Sequence, residues 1–452
     1  MNTTEWISRK VTKLQEAITP LLVAKASRRT LEELKAIIDP SVSEVEGGKR
    51  AKRVADWYAK APVEYKRECW LLMSEHFKAD PEVAKTAQAK FAAAVGTPEE
   101  AVAEVRLRKS TVSPRRRLLQ RFSVFPEGIQ FLVNMRAEIL PSLKSDKRLL
   151  ALDAEMEYMF STWFDVGFLE LRRISWDSPA SLIEKLIKYE AVHDIKSWAD
   201  VKNRLDSDRR CYGFFHPRMP NEPLIFVEVA LLHDIASSIL PLLDESAATE
   251  NIEDLNKSTT AIFYSISNTQ AGLRGVSFGD SLIKNVVETL KMEFPKLKTF
   301  ATLSPIPGFK AWLSKNATTM LEQLDDKELT KLGNAVGFQP PTAEHFMFAL
   351  DKILELDAKS PIAQLLQSCA AQYLGREMRD GEPVDPVARF HLGNGARIER
   401  LNWAGDPSAK GLKQSYGLMV NYLYDLKRLD KHRNMLAQGK IPVSGDIEAL
   451  YI

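Results

Sequence analysis

Cysteine is scarce in this 452-residue sequence: Cys69, Cys211 and Cys369 stand far apart, with no CxxC pair and an odd total. That argues against a disulfide framework or a zinc knuckle and points to a reducing compartment. Charge of one sign is lacking too. Lysine plus arginine number 62 against 60 for aspartate plus glutamate, so no global field selects a nucleic acid or an anionic membrane. The most apolar window, Leu224 to Leu243, contains Glu228, His233 and Asp234, and reads as a strand followed by a helix rather than a membrane span. The first residues, MNTTEWISRKVTKLQEAITPLLV, lack the basic start and unbroken apolar core of a secretory signal, and Glu5 and Glu16 are foreign to a transit peptide. The expected location is cytoplasmic, with neither nucleic acid nor membrane as partner.

What is present is the composition of an ordinary globular protein, 45% hydrophobic and 27% charged, in a chain longer than one core usually supports. Apolar residues recur at helical spacing almost throughout residues 1–165, as in PEGIQFLVNMRAEIL from Pro126 and KRLLALDAEMEYMFSTWF from Lys147. A helical bundle is expected there. Its basic run from Arg106 to Arg121, RLRKSTVSPRRRLLQR, carries no interleaved aromatic platform and reads as a solvated or ion-paired face. From residue 166 to 452 the texture is mixed α and β. LELRRISW, CYGFFH, EPLIFVEVAL, TTAIFYSIS and FATLS read as strands, and a group of helices between about 310 and 375 reads as an insertion. VARFHLGNGARIERLNWA is expected to form two strand-like runs about a Gly393-Asn394-Gly395 turn, with Asn394 left-handed.

The stretch RGVSFGDSLIKNVVETL, Arg274 to Leu290, supports two incompatible readings. Gly275, Ser277 and Gly279 spell GxSxG, a serine nucleophile elbow; Arg274, Ser277 and Gly279 spell an imperfect RxxGxG, a phosphate cradle. An elbow needs a strand ending immediately before the serine, whereas AIFYSIS ends near Ser267 and the polar NTQAGLR intervenes. A cradle needs backbone amides facing one point, small residues for close approach and a helix start behind them. Gly272, Gly275 and Gly279 with DSLIKNVVETL meet that need. Neither pattern is specific alone, and a structural glycine loop stays open beside both.

EPLIFVEVAL, TTAIFYSISNTQAGLRGVSFGDSLIK, LSPIPGF and VARFHLGNGARIERLNWAGDPSAKGLKQSYGLMVNYLY resemble the malonyl-CoA decarboxylase family in order and spacing. FLVNMRAEIL and STWFDVGFLELRRISWDSP resemble it more weakly. The resemblance implies a helical domain, residues 1–165, used in oligomer assembly, and a GNAT-like (acetyltransferase-fold) α/β domain, residues 166–452, that binds malonyl-CoA. It implies that the loop Arg274, Gly275, Val276, Ser277, Phe278, Gly279 and Asp280 cradles the coenzyme A pyrophosphate. Ser277 departs from the glycine of the general fold motif. The family's catalytic serine and histidine map onto Ser304 and His391, as proton acceptor and proton donor, and Tyr424 is the third candidate by position.

The expected reaction yields acetyl-CoA and carbon dioxide without metal or prosthetic group, since the thioester carbonyl is itself the electron sink; coenzyme A enters only with the substrate. The protein supplies orientation, electrostatics and a proton. Pro305 and Pro307 restrict the backbone behind Ser304, and a histidine of ordinary pKa, about 6.5, suits proton donation near neutrality. A homo-oligomer, dimer or tetramer, is expected through the helical domain. The rival readings are an acyltransferase of the same fold, a thioester hydrolase using Ser277, and a silent coenzyme A scaffold. Among other histidines, His216 reads as a turn residue and His233 as structural.

Overall fold

The computed structural model describes residues 27–244, 255, 257–276 and 281–452. Its chain falls into two compact units: residues 1–169 with the short segments 216–222 and 270–278, and residues 170–215, 223–269 and 279–452. Among the described residues no helix is long and apolar enough to cross a membrane.

The first unit is helical. Helices Glu44–Lys60, Val63–Glu75, Pro114–Phe122, Gly128–Ile139 and Leu150–Trp163 bury Leu118, Leu119, Leu132, Met156 and Phe160 between them. The basic run divides by helix face. Arg115 is buried and donates to the carbonyls of Met73 at 3.0 Å and Ala151 at 3.1 Å. Arg116 pairs with Glu155 at 2.6 Å and Arg121 with Glu44 at 2.7 Å, so three of these arginines tie helices together. Arg106, Arg108, Lys109 and Arg117 stay on solvent.

The second unit is built on a mixed sheet. Its strands are β1 (Glu170–Ile174), β2 (Arg209–His216), β3 (Met219–Leu232), β4 (Thr260–Asn268), β5 (Thr299–Thr302), β6 (Ser304–Pro305), β9 (Arg397–Asn402) and β10 (Met419–Leu423); β7 (Met378–Arg379) and β8 (Glu382–Pro383) form a separate small pair. The order is β1-β2-β3-β4-β5-β10-β6, with β9 on β10. β3 and β4 are antiparallel, β4 and β5 parallel, and β10 runs antiparallel to β5, β6 and β9. The near-continuous apolar runs of β2, β3 and β4 are explained by burial on both faces. Helices Phe309–Glu322, Asp326–Val336, Ala343–Ala349 and Pro361–Gly375 stand between β6 and β7. The fold is therefore a helical region followed by a mixed α/β domain with a helical insertion.

One expected strand is a helix. VARFHLG lies in Pro386–Gly393, because Asp385 caps the amides of Val387 and Ala388 at 2.9 and 3.0 Å and Pro386 occupies the first turn. Asn394 has φ −81 and donates to Phe390 O at 2.8 Å; the left-handed position is Gly395, φ +86. The strand pattern after the turn holds, as β9.

The core of this unit contains a buried cation. Arg204 donates to Asp200 at 2.7 Å, to Glu228 on β3 at 3.0 Å and to the His193 carbonyl at 2.9 Å, and both Arg204 and Glu228 are 0% exposed. Burial pushes the Glu228 carboxyl up, and Arg204 draws it back toward ionisation. Removing one member of such a group leaves buried charge without its partner. Arg204→Met is expected to cost about 3–5 kcal/mol in urea unfolding, and a loss below about 1 kcal/mol would contradict the assignment.

Candidate active site

The site begins where two strands part. β4 pairs with β5 from Thr260↔Thr299 to Phe263↔Thr302, and the Leu303 amide still reaches Phe263 O at 3.0 Å. Beyond that point β4 keeps only its β3 partner, while the chain of β6 pairs with β10 at Val420↔Ser304. Into the gap opens a cavity of about 210 Å³. Phe263, Tyr264, Ser265, Ile266 and Asn268 line it from β4, Ser304 and Pro305 from β6, and Val387, Phe390 and His391 from the helix Pro386–Gly393. Among the described residues no lysine, arginine, aspartate or glutamate belongs to its lining.

Three of the residues singled out by sequence meet here. His391 Nδ1 lies 2.7 Å from the Tyr424 hydroxyl and its Nε2 lies 3.3 Å from Ser304 Oγ. Ser304 donates onward to Thr302 Oγ1 at 2.9 Å, which also accepts the Tyr422 amide at 3.1 Å. Ser304, His391 and Tyr424 are all buried. Burial pushes the His391 imidazole down to about 3 and the Tyr424 phenol well above its usual range, so both are neutral around pH 7. The ordinary histidine pKa expected from sequence does not hold at this position. Since Ser304 gives its proton to Thr302, His391 Nε2 is the donor to Ser304 and the Tyr424 hydroxyl the donor to Nδ1.

Two further residues fix this geometry. Tyr422 stacks on the His391 ring, centroids 4.7 Å apart. Asp385, besides capping the helix that carries His391, accepts the Gly308 amide and the Tyr373 hydroxyl at 3.3 Å, joining that helix to the turn after Ser304. Gly308 has to be glycine, since a Cβ would lie 2.1 Å from the Tyr373 hydroxyl. Thr302, Tyr422 and Asp385 were not singled out from sequence. Asp385-Pro386 carried a helix-start signal that the glycine-rich turn outweighed.

Arg274, Gly275 and Val276 belong to the first unit; Ser277, Phe278, Gly279 and Asp280 lie outside the described residues. A turn of helix, Ala271–Leu273, separates the end of β4 from Gly275, which is not the strand-to-serine junction an elbow requires. Gly275 has φ +85, the conformation glycine adopts freely. The buried Arg136 clamps this segment: it donates to the carbonyls of Gly272 at 2.9 Å and Arg274 at 2.8 Å, and pairs with Asp153 and Glu157 at 2.7 and 2.9 Å. Lys284 and Lys291 are exposed. His216 is not a turn residue: it ends strand β2, is buried, and accepts the Arg218 amide at 3.1 Å, while His233 is exposed. Among the described residues no cluster of three or more histidine, cysteine or carboxylate side chains is placed to hold a metal ion.

Comparison with known proteins agrees with this layout. Residues 167–451 match the malonyl-CoA decarboxylase C-terminal domain and residues 77–164 the malonyl-CoA decarboxylase N-terminal domain. A mitochondrial malonyl-CoA decarboxylase of Anser anser anser is 38% identical over 337 residues, 72% of this chain and 66% of that protein, so the match spans about two thirds of its length. The crystal structure of malonyl-CoA decarboxylase from Rhodopseudomonas palustris is 39% identical with a TM-score of 0.80, covering 94% of this chain and 99% of that one. That from Cupriavidus metallidurans is 42% identical with a TM-score of 0.74, covering 94% and 100%. On the family matches and these identities, the chain belongs to the malonyl-CoA decarboxylase family of carboxy-lyases.

Proposed function

We propose that this chain converts malonyl-CoA to acetyl-CoA and carbon dioxide, with the acyl group in the cavity beside Ser304 and His391. The observation that carries this reading is the buried chain Tyr424–His391–Ser304–Thr302 at the wall of a cavity that no charged residue lines among the described residues. A carboxylate moved into such a cavity loses its hydration and gains no cation in return. In the transition state the same charge spreads over the departing carbon dioxide and the thioester, so the desolvated ground state is raised more than the transition state.

The bond from the α-carbon to the carboxylate breaks, its electron pair enters the thioester as an enolate, and one proton forms the new C–H bond. The thioester accepts the electrons, and the reading needs neither metal nor prosthetic group. Ser304 and the neutral His391 work as one hydrogen-bonded pair: one donor holds the enolate oxygen, the other supplies the proton and is recharged from solvent. Tyr424 keeps the imidazole in the tautomer with its proton toward Ser304.

In the same reading the loop Arg274 to Asp280 receives the coenzyme pyrophosphate, supported by the left-handed Gly275 and the clamp from Arg136. Residues 1–165 act as an assembly domain for a homo-oligomer. The helices Pro81–Ala94 and Glu100–Thr111 support that role, for they bury no residue and leave Val83, Val102 and Val105 exposed.

Mass spectrometry of the products with malonyl-CoA is expected to find acetyl-CoA and no released thiol; free coenzyme A with malonate would mean thioester hydrolysis instead. Ser304→Ala and His391→Asn are each expected to lower kcat by about 10²-fold or more, and wild-type turnover in both would remove the site assignment. The depressed His391 pKa also has a signed consequence. Since the imidazole is neutral above about pH 4, kcat/KM should stay level from about pH 5 to 8; a one-proton fall centred near about 6.5 would reinstate a cationic donor.

A further inference from the structure

We infer that Val192 sets the size of the group accepted at the α-carbon of the acyl chain, and that Glu190 and Lys410 hold it in place. This rests on the acyl group occupying the cavity beside Ser304. Val192 follows the helix Ala180–Tyr189 and is half-buried. It lines the 210 Å³ cavity on one side and, on the other, a larger cavity of about 840 Å³ bounded by His193, Ile239, Leu240, Leu243 and Asp406. Val192 is thus shared by a space suited to a small acyl group and a space several times larger.

The wall is fastened from two directions. Glu190 is buried, and its carboxylate accepts the Ser265 hydroxyl at 2.8 Å, the Ser267 hydroxyl at 3.1 Å and the amides of Val192 and His193 at 2.8 and 2.9 Å. The Ala191 amide donates in turn to Ser267 Oγ at 3.1 Å. These bonds pin residues 190–193 against β4, whose Ser265 also lines the acyl cavity. From the helix Ala409–Ser415, Lys410 Nζ donates to the carbonyls of Ala191 at 2.8 Å and Val192 at 2.9 Å. A charged donor and a charged acceptor therefore immobilise the backbone on both sides of one apolar side chain.

The substrate class this wall excludes is the α-alkylmalonyl thioesters. Their reaction balances as for malonyl-CoA: the same C–C bond breaks, its electron pair enters the thioester, carbon dioxide leaves and a solvent-derived proton adds to the α-carbon. Shortening Val192 joins the two cavities and makes room for the extra alkyl group, whereas Lys410→Met frees the backbone without altering the wall's own side chain.

The test is the ratio of kcat/KM for methylmalonyl-CoA to that for malonyl-CoA, which a change in stability alone does not move. Val192→Ala is expected to raise the ratio about tenfold, Lys410→Met to raise it by less, and Val192→Leu to lower it. An unchanged ratio in both Val192→Ala and Lys410→Met, with malonyl-CoA still decarboxylated, would overturn the inference alone. A wild-type protein that forms no acetyl-CoA from malonyl-CoA would overturn the underlying reading and this inference with it.

Discussion

The parting of β4 from its parallel neighbour is the constraint on which the site depends. Four registered pairs hold β4 to β5, and beyond Thr302 the neighbouring chain leaves β4 and keeps its β10 partner. Had the parallel ladder continued to Asn268, its hydrogen bonds would have closed the gap that opens into the cavity beside Ser304. On the β10 side Thr302 stays bonded: Asn421 donates to Thr302 O at 2.7 Å, and the Tyr422 amide is taken by the Thr302 hydroxyl at 3.1 Å. Thr302, where the parallel ladder ends, also opens the hydrogen-bond chain to Ser304 and His391.

Charge is distributed with a consistent logic. Arg204, Asp200 and Glu228 form a buried ionic group in the core, and Glu190 is enclosed by hydroxyl and amide donors. The cavity beside Ser304 has no ionised side chain in its lining among the described residues, and its histidine is neutral by burial. A cation there would bind malonate more tightly in the ground state and slow its loss of carbon dioxide. The polar groups that remain are aligned donors, which suit an enolate better than a carboxylate.

Much of this was legible in the sequence. The change of texture near residue 166, the strands β1 to β5 and the inserted helices follow from hydrophobic periodicity, which reports burial directly. Ser304, His391 and Tyr424 were reached through family resemblance, because nothing local distinguishes a hydroxyl beside a proline or a histidine between apolar neighbours. The misread segment is instructive. The Gly-Asn-Gly turn suggested a hairpin, whereas Asp385 and Pro386 start a helix that packs, through Asp385, against the turn after Ser304. The His391 pKa was illegible for the same reason: desolvation is a tertiary quantity. Val192 and Glu190 carried no signal, since their roles arise from cavities formed by residues distant in sequence.

The central claim is that a neutral, buried His391 works with Ser304 in an uncharged cavity. Its most direct test is the imidazole ¹⁵N resonances of His391, assigned with the His391→Asn variant and followed across pH. The account predicts a neutral ring with its proton on Nε2 and no titration between about pH 5 and 8. A midpoint near about 6.5 would contradict it and make His391 a cation at the start of the reaction.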